Sequence, residues 1–229
     1  MSDNGDKQGS AFGRFLSGMV RERAWVWLVL AAPMVMMLTF FTLMAMEGGD
    51  RVDRPAPVRV SGEADIGGPF TLVNHLGETV TDEDFRGKAM LIYFGFTYCP
   101  DVCPFSLQIM DLALDRLTEE ERSHFQPMLI SIDPERDTVE QMAQYVASPA
   151  FPDNLVGLTG TEEQVAAAAG EYRVAYRRSG EGDDYLMDHS SIIYFMDFEG
   201  KFYNIFAHGT DPETVAQGLK DFLEEEGAS

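Results

Sequence analysis

Ala89–Phe96 reads AMLIYFGF, a stretch with no charged side chain. A run this short suits a strand buried on both faces better than a helix, which needs about ten residues or more. Directly after it comes Cys99-Pro100-Asp101-Val102-Cys103-Pro104. Pro104 fits the first turn of a helix, where its missing N–H is not needed. Leu107, Met110, Leu114 and Leu117 then recur at helical spacing. A buried strand that leads into a helix through a cysteine pair constrains this chain more than any other feature.

The flanking sequence completes the frame. Phe70–Asn74 and Glu78–Thr81 read as a hairpin around His75-Leu76-Gly77. Met128–Ile132 and Ser191–Met196 read as two further buried strands. Thr138 with Gln141, and Thr161 with Gln164, fit capping boxes that open helices to about Ala147 and to Ala169, the second stopped by Gly170. Glu199-Gly200 turns the third strand into Lys201–Asn204, and Asp211-Pro212 opens a last helix. Strands alternating with helices predict an α/β sheet covered on both faces. With the cysteine pair after the first central strand, the pattern predicts a thioredoxin-like fold.

The chain has 229 residues, 17 basic and 38 acidic, for a net charge of −21. That balance excludes a phosphate-binding, nucleic-acid role. Residues 1–23 hold four of the basic and three of the acidic side chains, so the acidity lies downstream. Ala24–Met46 contains no charge, and as a helix would be about 35 Å long, enough to cross a bilayer core of about 30 Å. Trp25 and Trp27 stand at one end of it, where amphipathic rings favour the interface. The run is too long for the apolar part of a signal peptide, and Leu43-Met44-Ala45 is a poor cleavage site. The chain therefore reads as a short cytoplasmic N-terminus (1–23), a single transmembrane anchor (24–46), a Gly/Pro-rich tether (47–68) and a globular domain (69–229). Basic residues near the two ends of the span tie, but Arg21 and Arg23 lie closer to it than Arg51 and Arg54. This favours a cytoplasmic N-terminus, with the domain on the periplasmic side of a bacterial inner membrane.

Two cysteines cannot make a disulfide scaffold or a four-cysteine zinc site. They can close one disulfide, donate two thiolates to a metal, or alternate between the two. At the helix N-terminus, Cys103 is the thiol expected to ionise easily. Its spacing from Cys99 has three intervening residues, one more than the usual thioredoxin-type pair. Of the four histidines, His75, His124 and His208 lie in turn-like or charged surroundings. His189 sits in Asp188-His189-Ser190-Ser191, directly before a buried strand. In a thioredoxin-like fold the loop before that strand faces the cysteine pair. No proline stands there, where thioredoxins and peroxiredoxins carry a cis-proline, which disfavours an enzyme of that type.

Four blocks in order carry a resemblance: Asp84-Phe85-Arg86-Gly87-Lys88, the stretch Tyr93–Pro104, Ser131–Thr138, and Asp188–Ser191. From about Pro69 to Leu223 the chain resembles the Sco/SenC family of membrane-anchored, copper-binding assembly factors for cytochrome c oxidase. The resemblance implies that Cys99, Cys103 and His189 bind copper, with Asp133 and Asp188 as candidates to orient a ligand. Two thiolates and an imidazole suit copper(I), and the nitrogen also supports copper(II). The function so implied is copper delivery to the binuclear copper centre of a haem-copper oxidase. Its partners would be the oxidase's copper-bearing subunit and a periplasmic copper donor or thiol reductant. The alternative is a thiol-disulfide reductase that keeps oxidase or other periplasmic cysteines reduced, using Cys99 and Cys103 as a redox pair.

Overall fold

A computed structural model describes residues 32–42, 66–182 and 184–228. Residues 32–42 form a helix (α1) whose side chains are exposed; they belong to one compact unit, Met1–Ala56, and the remainder to a second, Pro57–Ser229. No helix among the described residues is long and apolar enough to cross a membrane. The expected cytoplasmic N-terminus, most of the expected anchor and the tether up to residue 65 lie outside the described residues.

The second unit is built on a seven-stranded sheet. In chain order its strands are β1 (Thr71–Asn74), β2 (Thr79–Thr81), β3 (Ala89–Gly95), β4 (Phe125–Ser131), β5 (Val156–Thr159), β8 (Ile192–Met196) and β9 (Phe202–Ala207). Their spatial order is β2-β1-β5-β4-β3-β8-β9. β3, β4 and β5 run parallel, while β8 lies antiparallel against β3 and β9 against β8. Every residue of β3 is buried. Neighbouring residues of a strand point to opposite faces, so both faces of the sheet are covered. Tyr93 points towards Cys103 of helix α2 (Val102–Leu114). Phe94 points the other way, onto Tyr172 at the end of helix α5 (Glu162–Glu171), with ring centroids 5.4 Å apart. The thioredoxin-like α/β arrangement read from the sequence is therefore present.

The predicted helix starts are largely found. Thr161 and Gln164 cap α5 reciprocally. Asp211 accepts from the Thr214 N–H at the start of helix α6 (Pro212–Glu226), with Pro212 in its first turn. At helix α4 (Val139–Val146) only half of the predicted box forms: the Thr138 hydroxyl accepts from the Gln141 N–H. Gly170 does not stop α5, which runs on to Glu171 because the turn closes through Tyr172, a buried residue packed on the core. Three features escape the periodicity argument. Helix α3 (Glu119–Ser123) is a single charged turn, β5 is four residues long, and β6 (Tyr176–Ser179) pairs with β7 (Leu186–His189) as a separate ribbon.

One buried carboxylate ties the loops above the sheet together. Asp137 is fully buried between β4 and α4. It accepts the Thr97 hydroxyl at 2.6 Å, the Thr97 N–H at 3.2 Å and the Ser131 hydroxyl at 2.6 Å. Its own carbonyl accepts the Thr159 hydroxyl from β5. The loop leaving β3, which carries Cys99, is thus fixed to the ends of β4 and β5. Burial pushes the Asp137 carboxyl above its usual range, opposed by these donors. Asp137→Ala leaves two hydroxyl protons and an N–H buried without an acceptor, which costs on the order of 3 kcal/mol. Urea unfolding of the variant is expected to show a midpoint lowered accordingly; an unchanged midpoint would mean that Asp137 does not hold the loop.

Candidate metal centre

The first turn of α2 and the end of β7 bring the predicted residues together. Cys103 lies in that first turn, fully buried, and Cys99 is half-buried in the loop before it. The Cys103 N–H donates to Cys99 Sγ at 3.3 Å. A thiolate there also faces the positive end of the helix dipole. The Cys103 Sγ lies 3.7 Å from His189 Nε2. His189 Nδ1 stands 3.1 Å from its neighbour's carbonyl, Ser190 O, the partner that fixes the ring tautomer with its proton on Nδ1 and leaves Nε2 as the free donor of a lone pair. The rings of Tyr93 and Phe96 meet the imidazole edge-on, at 5.9 and 6.1 Å.

This geometry reverses one expectation. The sequence points to Cys103 as the readily ionised thiol; the structure gives that role to Cys99. A hydrogen bond from the Cys103 thiol, helped by the Asp101 and Cys103 backbone, lowers Cys99 to about 4 against the opposing effect of burial. The same bond, and then burial, push Cys103 upward. The physical reason is register. Cys103 is already inside the helix with its side chain turned to the core, while Cys99 lies in the loop two residues before the N-cap, Asp101, with its sulfur accepting the free Cys103 N–H. The pair holds one proton between two sulfurs.

The sheet backbone shapes the pocket for Cys103. A Cβ added at Gly95 would meet Tyr93 Cε1 at 2.8 Å and Cys103 Sγ at 3.0 Å. A glycine at the end of β3 is therefore what lets the sulfur sit against the strand. The Tyr93 hydroxyl stands 4.0 Å from that sulfur, and burial pushes its pKa well up.

The remaining candidates divide. Asp133 is buried and accepts from the Tyr185 hydroxyl and from Arg136 Nε, each at 2.6 Å. Asp188 points outward and pairs with Arg177 at 2.7 Å, because alternate residues of β7 face opposite ways and His189 takes the inward one. It is not placed to orient the imidazole. His189 itself ends a strand rather than lying in a loop. His75 accepts from the Gly157 N–H, His124 packs edge-on against Phe198, and His208 against Phe105. Tyr93, Gly95, Asp137, Arg136 and Tyr185 were not singled out in the sequence. The buried-strand pattern and the Tyr93–Pro104 block contain the first two without marking a role for either, and nothing local marks Asp137 as buried.

The donor set fits a soft metal. Bonds of about 2.3 Å to sulfur and 2.0 Å to nitrogen, meeting at a trigonal angle, put the two ligand atoms about 3.7 Å apart. The Cys103–His189 separation matches that. The set is not fully closed: among the described residues no three or more His, Cys, Asp or Glu side chains already surround one point.

Comparison with known proteins gives this arrangement a family. Residues 58–224 match the family model described as SCO1/SenC. The human protein called Protein SCO1 homolog, mitochondrial, is 43% identical over 161 residues, covering 69% of this chain and 53% of that protein. The chain thus spans about half the length of that relative. The structure of Bradyrhizobium japonicum ScoI with copper bound is 40% identical, covers 69% of this chain and 99% of that one, and superposes with a TM-score of 0.63. BsSco is described as having a disulfide switch and as a member of the Sco family of cytochrome c oxidase assembly proteins. It is 25% identical, with a TM-score of 0.55, over 75% of this chain and 94% of its own. With the model match spanning well over half of its length, this chain belongs to the SCO1/SenC family.

Proposed function

We propose that this protein carries copper on Cys99, Cys103 and His189 and delivers it to the binuclear copper centre of a cytochrome c oxidase during assembly. The observation that carries the reading is the 3.7 Å approach of Cys103 Sγ and His189 Nε2, beside a second sulfur, that of Cys99, which accepts the Cys103 N–H at 3.3 Å. The copper-bound Bradyrhizobium relative and the oxidase-assembly family of BsSco support the cargo and the destination. Three protein ligands leave a copper ion open to an incoming ligand. Half-buried Cys99 is the side from which an acceptor's thiolate would approach, while Cys103 and His189 hold the ion from below. Copper(I) is the proposed working state, since two thiolates favour a soft ion, with the imidazole extending the site to copper(II).

The uncharged stretch 24–46 supports a single-pass anchor in a bacterial inner membrane, with the copper domain in the periplasm. Release of the full chain from membranes by alkaline carbonate would count against that anchor.

The second reading, a thiol-disulfide reductase, draws on the asymmetric pair of free thiols. The two separate on His189, which a reductase does not need. The full chain in detergent, titrated anaerobically with copper(I), is expected to bind one ion, and Cys99→Ser, Cys103→Ser and His189→Ala each to weaken it by about tenfold or more. Binding indifferent to His189 would leave the imidazole structural and favour thiol-disulfide chemistry.

Proton release gives an independent check. A ligand thiol must lose its proton to bind. Cys99 is depressed to about 4, so it is already ionised at pH 8, while Cys103 keeps its proton. Copper(I) binding at pH 8 in weak buffer is expected to release one thiol proton per ion. Affinity falls as pH falls, first through Cys103 and, below about pH 4, through Cys99 as well. Release of two protons at pH 8 would contradict the assignment of a thiolate to Cys99.

A further inference from the structure

The ribbon that ends in His189 pairs with no other strand. β6 and β7 form a two-stranded sheet of their own, and such a ribbon is marginal unless something else holds it. Yet His189 must meet a sulfur on the far side of a loop junction to within ligand distance. Besides Tyr176 and Met187, which pack partly buried on the core, the ribbon is anchored by Tyr185, the residue that enters β7. Its side chain is buried while its neighbours Asp184 and Leu186 are exposed. Its hydroxyl donates to one oxygen of Asp133 at 2.6 Å. The Arg136 guanidinium lies 3.6 Å from its ring centroid and the Arg178 guanidinium 3.5 Å. Two planar cations that close cannot share one face, so the ring is sandwiched between them.

Arg136 connects this stack to the cysteine side. Its Nε donates to the other oxygen of Asp133 at 2.6 Å, and its guanidinium stands 4.8 Å from the ring centroid of Tyr98, the residue before Cys99. It also lies 6.0 Å from the Phe96 ring, which meets His189 edge-on. The side chain is only 15% exposed, so the charge is used where water competes little. A flat guanidinium can stack on two aromatic rings and donate in its own plane at the same time, which an ammonium cannot.

We propose that Arg136 and Tyr185 are positioning residues for the third metal ligand: they clamp the His189 ribbon to the loop that carries Cys99, so that closing the clamp sets the His189-to-sulfur distance. This rests on the reading of His189 as a copper ligand. β7 is extended, so fixing Tyr185 at one end fixes the imidazole four residues on. Arg178 closes the outer face and is braced in turn by Glu135 at 3.2 Å.

The test uses the full chain in detergent and copper(I) alone, with affinity read by competition against a chromophoric chelator. Tyr185→Leu and Arg136→Lys are expected to weaken copper(I) by about tenfold, the effect typical of groups that orient a ligand. Tyr185→Phe keeps the stack and is expected to stay within about threefold of the parent. In a His189→Ala background, Tyr185→Leu is expected to change nothing further, because the two act through one ligand. An equal loss in both backgrounds, parent affinity in Tyr185→Leu, or a loss in Tyr185→Phe as large as in Tyr185→Leu would overturn the clamp. Parent affinity in His189→Ala alone would instead overturn the copper-ligand reading on which the clamp rests. Amide hydrogen exchange of the metal-free chain gives a readout without copper. Tyr185→Leu is expected to speed exchange across Leu186–His189 while β3 and β4 stay protected. Unchanged exchange in the ribbon, or a loss of protection that spreads through β3 and β4, would also overturn it.

Discussion

The Asp137 carboxylate is the contact on which the geometry of the centre depends. A buried acid of this kind is tolerated only because three donors converge on it: two from Thr97, where the chain leaves β3, and one from Ser131, where it leaves β4. The strands themselves are set by apolar burial, which fixes their register but not the path of the loops beyond their ends. Asp137 supplies that path. With Thr97 held, Cys99 falls two residues later beside the first turn of α2. There its sulfur accepts the Cys103 N–H.

From that placement the chemistry of the pair follows. One sulfur accepts a free N–H from the first turn of a helix; the other is buried against a strand that has only glycine at the point of contact. Two residues of the same type, four apart, thereby acquire opposite tendencies to ionise. A soft cation that binds both sulfurs displaces the proton such a pair shares and is held by the thiolate charge. The proposed third donor, His189, comes from a ribbon separate from the main sheet, with Tyr185 and Arg136 stacked at its entry.

Much of this was legible in the sequence, for identifiable reasons. β3 announces itself because burial on both faces removes every polar side chain from Ala89–Phe96, and α2 and α6 because Pro104 and Pro212 mark their first turns. His189 could be placed by its position before β8. Short or charged elements were not legible: β5 and the β6–β7 ribbon carry no strong alternation, and α3 is all polar. The ionisation of the two cysteines was misplaced because it turns on whether the helix starts one residue earlier or later, which spacing alone does not fix. Asp137 and Arg136 were hidden for a different reason. Both are charged side chains in a turn, a setting that reads as solvated, and only the folded loops show them buried against Thr97 and Tyr185.

The claim at the centre is that two sulfurs and one imidazole nitrogen share a single ion. X-ray absorption at the copper edge, on the full chain loaded with one copper(I), counts those neighbours directly. Two sulfur scatterers and one imidazole, with the imidazole lost in His189→Ala, are the predicted result. An all-sulfur environment, or a spectrum unchanged by that substitution, would contradict it.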